Sequence, residues 1–212
     1  MTKYYDDRAF TDYVHTNLAV PIIYSKLGWK PVLNKYTYTD LIYIDQRDKK
    51  DGIDYEAINS SGFKFTIQER FRDEYAKKYN DFTIRFTRKS SSQSEEQESE
   101  WFKITAAYLI YGITNGKKYK DARYTLTDFI KYIVVDINYM RCLAIKGYIK
   151  IPKIFTDFSQ IKKENGKKVL YTAKKENPDQ SSEFIAIDPK LLIKVIGVDS
   201  MKNMVLDQKG FY

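Results

Sequence analysis

Asp54, Gln68 and Arg70 offer a carboxylate, an amide and a guanidinium on one short stretch of chain. The stretch DGIDYEAINSSGFKFTIQERFR, residues 51 to 72, puts an aspartate just after Gly-Ile, then a short loop, then Gln-Glu-Arg on an extended segment. Carboxylate and amide oxygens are the ligands that Mg²⁺ takes, with water and phosphate completing its shell. A guanidinium beside them could hold a phosphate or stabilise charge developing on an attacked phosphorus. Convergence depends on strand register. Gln68 and Arg70 share a face because side chains alternate, and Asp54 joins them only if the hairpin sets it beside Gln68 rather than Ile67. The competing reading of Asp54 and Arg70 is a structural ion pair at the base of the hairpin.

The elements that must position these groups can be read from periodicity. Phe10, Val14 and Leu18 predict a helix over residues 7 to 27, with Pro21 kinking or dividing it and Gly28 ending it. TDLIYID, 39 to 45, reads as a strand followed by a charged turn. The hairpin pairs residues 53–58 with 63–71 around Asn59-Ser60-Ser61-Gly62. Phe63, Phe65, Ile67, Glu69 and Phe71 share one face of its second arm, opposite Lys64, Thr66, Gln68 and Arg70. DFTIRFTR, 81 to 88, is a further strand. The serine-, glutamine- and acid-rich residues 89–100 read as a mobile surface loop. WFKITAAYLIYGI then runs from a helical turn into a buried strand. Ile130, Ile133, Ile137, Met140 and Ala144 predict a long helix over 126–146, capped by Thr125 or Thr127. Strands follow at 169–173 and 184–187, and Asp188-Pro189 opens a last helix. The order predicts a mixed α/β (α+β) domain around a small mixed sheet flanked by helices, with a core over 1–150 and an extension over 151–212 packed on it.

Gly52-Ile53-Asp54, a hairpin, and Ile67-Gln68-Glu69-Arg70 together resemble the core of the PD-(D/E)XK nuclease superfamily. The pattern is most similar to that of Mrr-type restriction endonucleases, where Gly-Ile-Asp precedes a strand bearing Gln-x-Lys. The turn KLGW, residues 26–29, is similar to the one before the first strand in that family. The resemblance covers residues 7 to 113 and implies a restriction-endonuclease-like core that hydrolyses phosphodiester bonds, DNA before RNA. It implies Asp54 as metal ligand, Gln68 as second ligand, Mg²⁺ (or Mn²⁺) as cofactor, and Arg70 in the lysine position. Arg70 is the departure: arginine stays charged and cannot accept a proton from water. A nuclease-like protein without catalysis, binding nucleic acid or interfering with defence, is therefore the alternative.

Other residues could complete the site. Glu69 could add a metal contact if a bulge turned it inward. Asp12 and Asp45 could add carboxylates, against plainer readings as a solvated helical residue and a turn cap. Lys103, before the strand that resembles the one following the active-site hairpin, could act in catalysis by touching the scissile or a neighbouring phosphate. His15, the single histidine, reads as hydrogen-bonded structure. Arg72, Arg85 and Arg88, interleaved with aromatics, could follow a phosphate backbone, or protect a solvated strand edge.

Composition bounds the rest. Lysine and arginine exceed aspartate and glutamate by 36 − 28 = 8 in 212 residues, which suits a polyanionic partner. Cys142 is the only cysteine, which excludes an internal disulfide and a thiolate metal cage and predicts a reducing compartment. No segment reaches the roughly 18 apolar residues of a membrane span. The expectation is a soluble cytoplasmic protein of phage or mobile-element type, without a membrane partner and compatible with a homodimer.

Overall fold

A computed structural model describes residues 3–32, 52–90, 93–98, 100–177, 180 and 182–212. The strand expected at 39–45, with Asp45, lies outside them. The architecture is mixed α+β, and the chain divides into two compact units. The first comprises residues 1–79, 105–135 and 207–210, and the second 80–104, 136–206 and 211–212. The boundary expected at residue 150 is not where the contacts divide, because strands distant in sequence pair within each unit.

In the first unit, α1 (Lys3–Val14) continues as a π-helical segment (His15–Tyr24) and ends in α2 (Ser25–Leu27). Pro21 lies inside the π segment. Its ring lacks an N–H and would clash with the carbonyl four residues back in an α-helix; the widened turn absorbs both without breaking the rod. Gly28 takes φ 66° and closes the helix. A six-stranded sheet runs β1 (Lys30–Pro31), β2 (Tyr55–Ile58), β3 (Lys64–Arg72), β6 (Tyr108–Thr114), β7 (Phe129–Asp136), β13 (Val205–Lys209). Phe65, Ile67 and Phe71 of β3 bury against Phe10, Val14, Leu18 and Ile23. Phe63, expected on that face, lies beyond the strand and is 68% exposed.

The β2–β3 turn is built by Asn59, whose Oδ1 accepts from the backbone N–H of Ser61 and Phe63, at 3.0 and 2.9 Å. Gly62 supplies φ 80° there, a conformation that costs a residue with Cβ.

The second unit holds a four-stranded sheet in the order β11 (Ala173–Glu176), β12 (Ser182–Ile187), β4 (Phe82–Ser90), β5 (Gln93–Glu98). A three-stranded sheet places β10 (Lys167–Tyr171) between β8 (Ile149–Lys150) and β9 (Gln160–Glu164). Its helices are α3 (Glu100–Lys103), α4 (Ile137–Ile145), α5 (Pro189–Ile196) and α6 (Val198–Met204). Asp188 caps α5, accepting from Lys190 and Leu191 N–H at 2.8 and 3.2 Å with Pro189 in the first turn, as expected.

Two expectations are corrected. The helix expected over 126–146 is β7 followed by α4, with Asp136 as the cap, accepting from Tyr139 N–H at 2.8 Å. Phe129–Asp136 is a nearly continuous apolar, β-branched run that satisfies helical spacing by accident and is buried as a central strand. The loop expected over 89–100 is in large part strand, because β5 pairs antiparallel with β4 through Thr87↔Glu98 and Arg88↔Gln97. An edge strand gains its backbone ladder without an apolar face, which composition alone does not weigh. Among the described residues no helix is long and apolar enough to cross a membrane.

Candidate active site around Asp54

The antiparallel ladder pairs Tyr55 with Ile67 and Ala57 with Phe65, with no shift along β3. One step beyond its end, Asp54 comes beside Gln68, and Asp54 N–H donates to the Ile67 carbonyl at 3.0 Å. Gly52, at φ 60°, turns the chain into this approach. Asp54 Oδ2 accepts from Gln68 Nε2 and from the backbone N–H of Glu69, both at 2.7 Å. Asp54 and Gln68 are buried, yet Gln68 Oε1 has no hydrogen-bond partner among the described residues. A buried acceptor left so is costly and marks a place for a ligand, ion or water.

Helix α1 meets this point. Arg8 Nη1 stands 3.9 Å from Asp54 Oδ1, while its Nε contacts Asp12 Oδ1 at 3.1 Å. Asp12 also accepts from the Tyr55 hydroxyl at 2.8 Å. The candidate acid of the helix is therefore tied into the hairpin through Tyr55, with Arg8 between the two carboxylates.

Glu69 goes the other way. The regular strand turns its side chain to the helix face, where Tyr24 Oη donates to Oε1 at 2.7 Å and His15 Nδ1 lies 2.9 Å from Oε2. His15 stacks on Tyr55, ring centroids 3.6 Å apart, and meets Tyr24 edge-on. No bulge brings Glu69 beside Gln68, and both its oxygens are engaged.

Arg70 shares Gln68's face by alternation and sits beside Tyr111 of β6. Arg72 follows at the end of β3. Arg85 and Arg88 stand on β4 and Lys103, exposed, ends α3, all in the second unit. Since β4 is flanked by β12 and β5, the edge-strand reading of Arg85 and Arg88 does not apply. Among the described residues no three His, Cys, Asp or Glu side chains form a metal-binding group. Arg8, Tyr24 and Tyr55 join the site without having been expected there; the stripe Arg8, Asp12, His15 at four- and three-residue steps is the signal in the sequence that points to this helix face.

Burial, and then the charge of Glu69, push the Tyr24 hydroxyl well above the ordinary tyrosine range. Tyr55 is raised by the same causes in the same order, with Asp12 adding to them. The unfolded chain thus releases these protons near pH 10 while the folded protein keeps them. Their contribution to stability is complete below pH 10 and is lost as pH rises above it, by about 1.4 kcal/mol per unit for each group. Tyr24→Phe should flatten this alkaline loss by close to one proton, read from urea unfolding between pH 9.5 and 11.5. An unchanged slope would remove Tyr24 from the account.

No protein-family model, no curated protein and no solved structure matches the chain.

Proposed function

We propose that the first unit is a metal-dependent nuclease domain of restriction-endonuclease-like design that hydrolyses phosphodiester bonds, DNA in preference to RNA. The observation that carries the reading is the Asp54–Gln68 contact at 2.7 Å beside a buried Gln68 Oε1 that lacks a partner. The donor set fits Mg²⁺ or Mn²⁺: Asp54 Oδ1 and Gln68 Oε1 are hard oxygens, and such ions keep waters and take substrate phosphate for the rest of the shell. A bound cation supplies a Lewis acid for the phosphate and an activated water. Asp54 and Gln68 hold that position, and the Glu69 backbone N–H and Gln68 amide fix the carboxylate's orientation. Arg70 contributes a fixed positive charge to the phosphoryl oxygens as negative charge grows on them. Arg8 balances Asp54 from the helix side. Arg72 is assigned to backbone phosphates at this site, and Arg85, Arg88 and Lys103, which lie in the second unit, are proposed as phosphate contacts of that unit.

A second reading, a nuclease-like nucleic-acid-binding or defence-interfering protein without catalysis, is favoured by one observation. Arg8 already places a cation 3.9 Å from Asp54, and Arg70 cannot carry a proton.

Incubation with supercoiled plasmid, single-stranded DNA and RNA, in Mg²⁺, Mn²⁺ or EDTA, separates the two. Cleavage that EDTA stops supports the first; binding without cleavage supports the second; neither binding nor cleavage sinks both. Within the first, Arg70→Lys should keep measurable cleavage, and Arg70→Gln should lose on the order of 10²-fold or more. Parent-like cutting by Arg70→Gln would take Arg70 out of the chemistry.

A further inference from the structure

Residues 149–176 hold eight lysines against Asp157, Glu164 and Glu176, a net charge of 8 − 3 = 5 out of the chain's 8. More than half of the protein's excess charge is thus concentrated on the three-stranded sheet, the segment leading into it and β11. The register assigns its faces. Leu170 pairs with Ile149 and Ile161, and Tyr171 with Lys150 and Gln160. Ile149 and Leu170 are buried on the side where Lys168 Nζ reaches the Lys194 carbonyl of α5, at 3.4 Å. Lys150, Gln160, Lys162 and Tyr171 therefore share the opposite face.

On that face lies a shallow depression of about 200 Å³, with Tyr171 among its lining residues and Lys153, Ile154, Phe158 and Lys162 around it. Lys162 Nζ stands 4.6 Å from the Tyr171 ring centroid and Lys150 Nζ 5.9 Å. Glu164 accepts from both the Tyr171 hydroxyl and Lys150, which fixes the ring. Phe158, in the lining, is 78% exposed. Lys175 Nζ stands 5.9 Å from the Phe158 ring centroid.

We propose that this face of the second unit is a binding platform for single-stranded nucleic acid, with bases stacking on Phe158 and Tyr171 and phosphates meeting the exposed Lys153 and Lys162. Solvent-facing aromatics flanked by ammonium groups match a strand that offers a π-face and a negative charge at every residue. The depression is smaller than the roughly 300–1,000 Å³ of pockets for whole small molecules and suits one planar base. A duplex hides its base faces, so exposed phenyl rings gain nothing from it. A lipid surface is disfavoured by Asp157, exposed between Phe155 and Phe158, which would carry a carboxylate into an anionic headgroup layer. The platform shares a polyanionic partner with the proposed nuclease but rests on different residues, and its binding is read with the metal chelated.

The test is fluorescence anisotropy in EDTA with a labelled 20-nucleotide oligo-dT and a 20-base-pair duplex, using the full chain. The parent should bind the labelled oligo-dT. Phe158→Ala should weaken oligo-dT binding by on the order of 10-fold and leave duplex binding unchanged, since one lost stack has an effect of that scale. Phe158 is mostly exposed, so the melting temperature should not move. Lys153→Gln with Lys162→Gln should reduce the slope of log K against log salt by roughly 1.4, about 0.7 per lost single-strand phosphate contact. Parent-like oligo-dT binding by Phe158→Ala would overturn the proposal, as would an equal loss of duplex binding in that variant. So would sedimentation with phosphatidylserine vesicles in the absence of oligonucleotide binding. These results hold whether or not the parent cleaves, so loss of the nuclease reading and loss of the platform are separable.

Discussion

Asp54→Asn should lower metal-dependent cleavage by on the order of 10²–10³-fold or abolish it, while the protein stays folded. The expectation follows from how the two carboxylate oxygens are used. Oδ2 is taken by Gln68 Nε2 and the Glu69 N–H, and Oδ1 faces Arg8. Asparagine has the same shape, and its carbonyl can replace Oδ2 and keep both short hydrogen bonds. Its amide then occupies the Oδ1 position, where it cannot ligate a cation and points N–H groups toward a guanidinium. The fold loses charge assistance to those hydrogen bonds, about 1–2 kcal/mol, which is a few degrees of melting temperature for a chain of this size. Plasmid nicking in Mg²⁺ and a far-ultraviolet melting curve, taken on the same preparation, separate chemistry from stability. Parent-like nicking would put the metal site elsewhere and end this reading.

The hairpin was legible because its determinants are local. Asn59 and Gly62 fix the turn, the turn fixes the register, and the register sets Asp54 beside Gln68. The N-cap at Asp188 was legible for the same reason, as was the Phe65–Ile67–Phe71 face. The spacing predicts a helix where Phe129–Asp136 forms a strand, because a nearly continuous apolar run, interrupted by Lys131, satisfies both periods. Its arbiters were composition, Ile-Val-Val before Asp136, and a cap residue that could have opened a shorter helix. The partners of Glu69 were hidden by a different cause. His15 and Tyr24 are nine residues apart, which at 3.6 residues per turn puts them on opposite sides of an α-helix. In the π-helical segment, with roughly 4.4 residues per turn, nine residues make close to two full turns and bring both side chains to one face. Sequence periodicity assumes one helix geometry, and here the second geometry sets the contact. The β4–β5 pairing was invisible to composition because a ladder of backbone hydrogen bonds does not depend on apolar residues.

Glu69 offers the sharpest contrast between a structural and a chemical carboxylate at one position. Its side chain is inaccessible, and both oxygens are engaged by the helix, through Tyr24 and His15. Glu69→Gln should therefore cost less than about 1.5 kcal/mol, because the amide oxygen still accepts from Tyr24 and the amide nitrogen can donate to a neutral imidazole. Glu69→Ala should cost about 2–4 kcal/mol, combining the cavity with a buried tyrosine hydroxyl left without an acceptor. That corresponds to a fall in melting temperature on the order of 5–15 °C. Cleavage provides the second readout. If the carboxylate only holds β3 against the helix, Glu69→Gln should cut within a few-fold of the parent, measured below the melting range of both proteins. A stable Glu69→Gln variant that has lost on the order of 10²-fold in cleavage would instead make the Glu69 charge part of the chemistry. The strand would then have to turn this side chain away from Tyr24 and His15 when substrate binds, and the loss of the Tyr24 hydrogen bond would appear as a return of its hydroxyl toward the ordinary range. Both outcomes are open to measurement, and the buried position of Glu69 on the helix face favours the first.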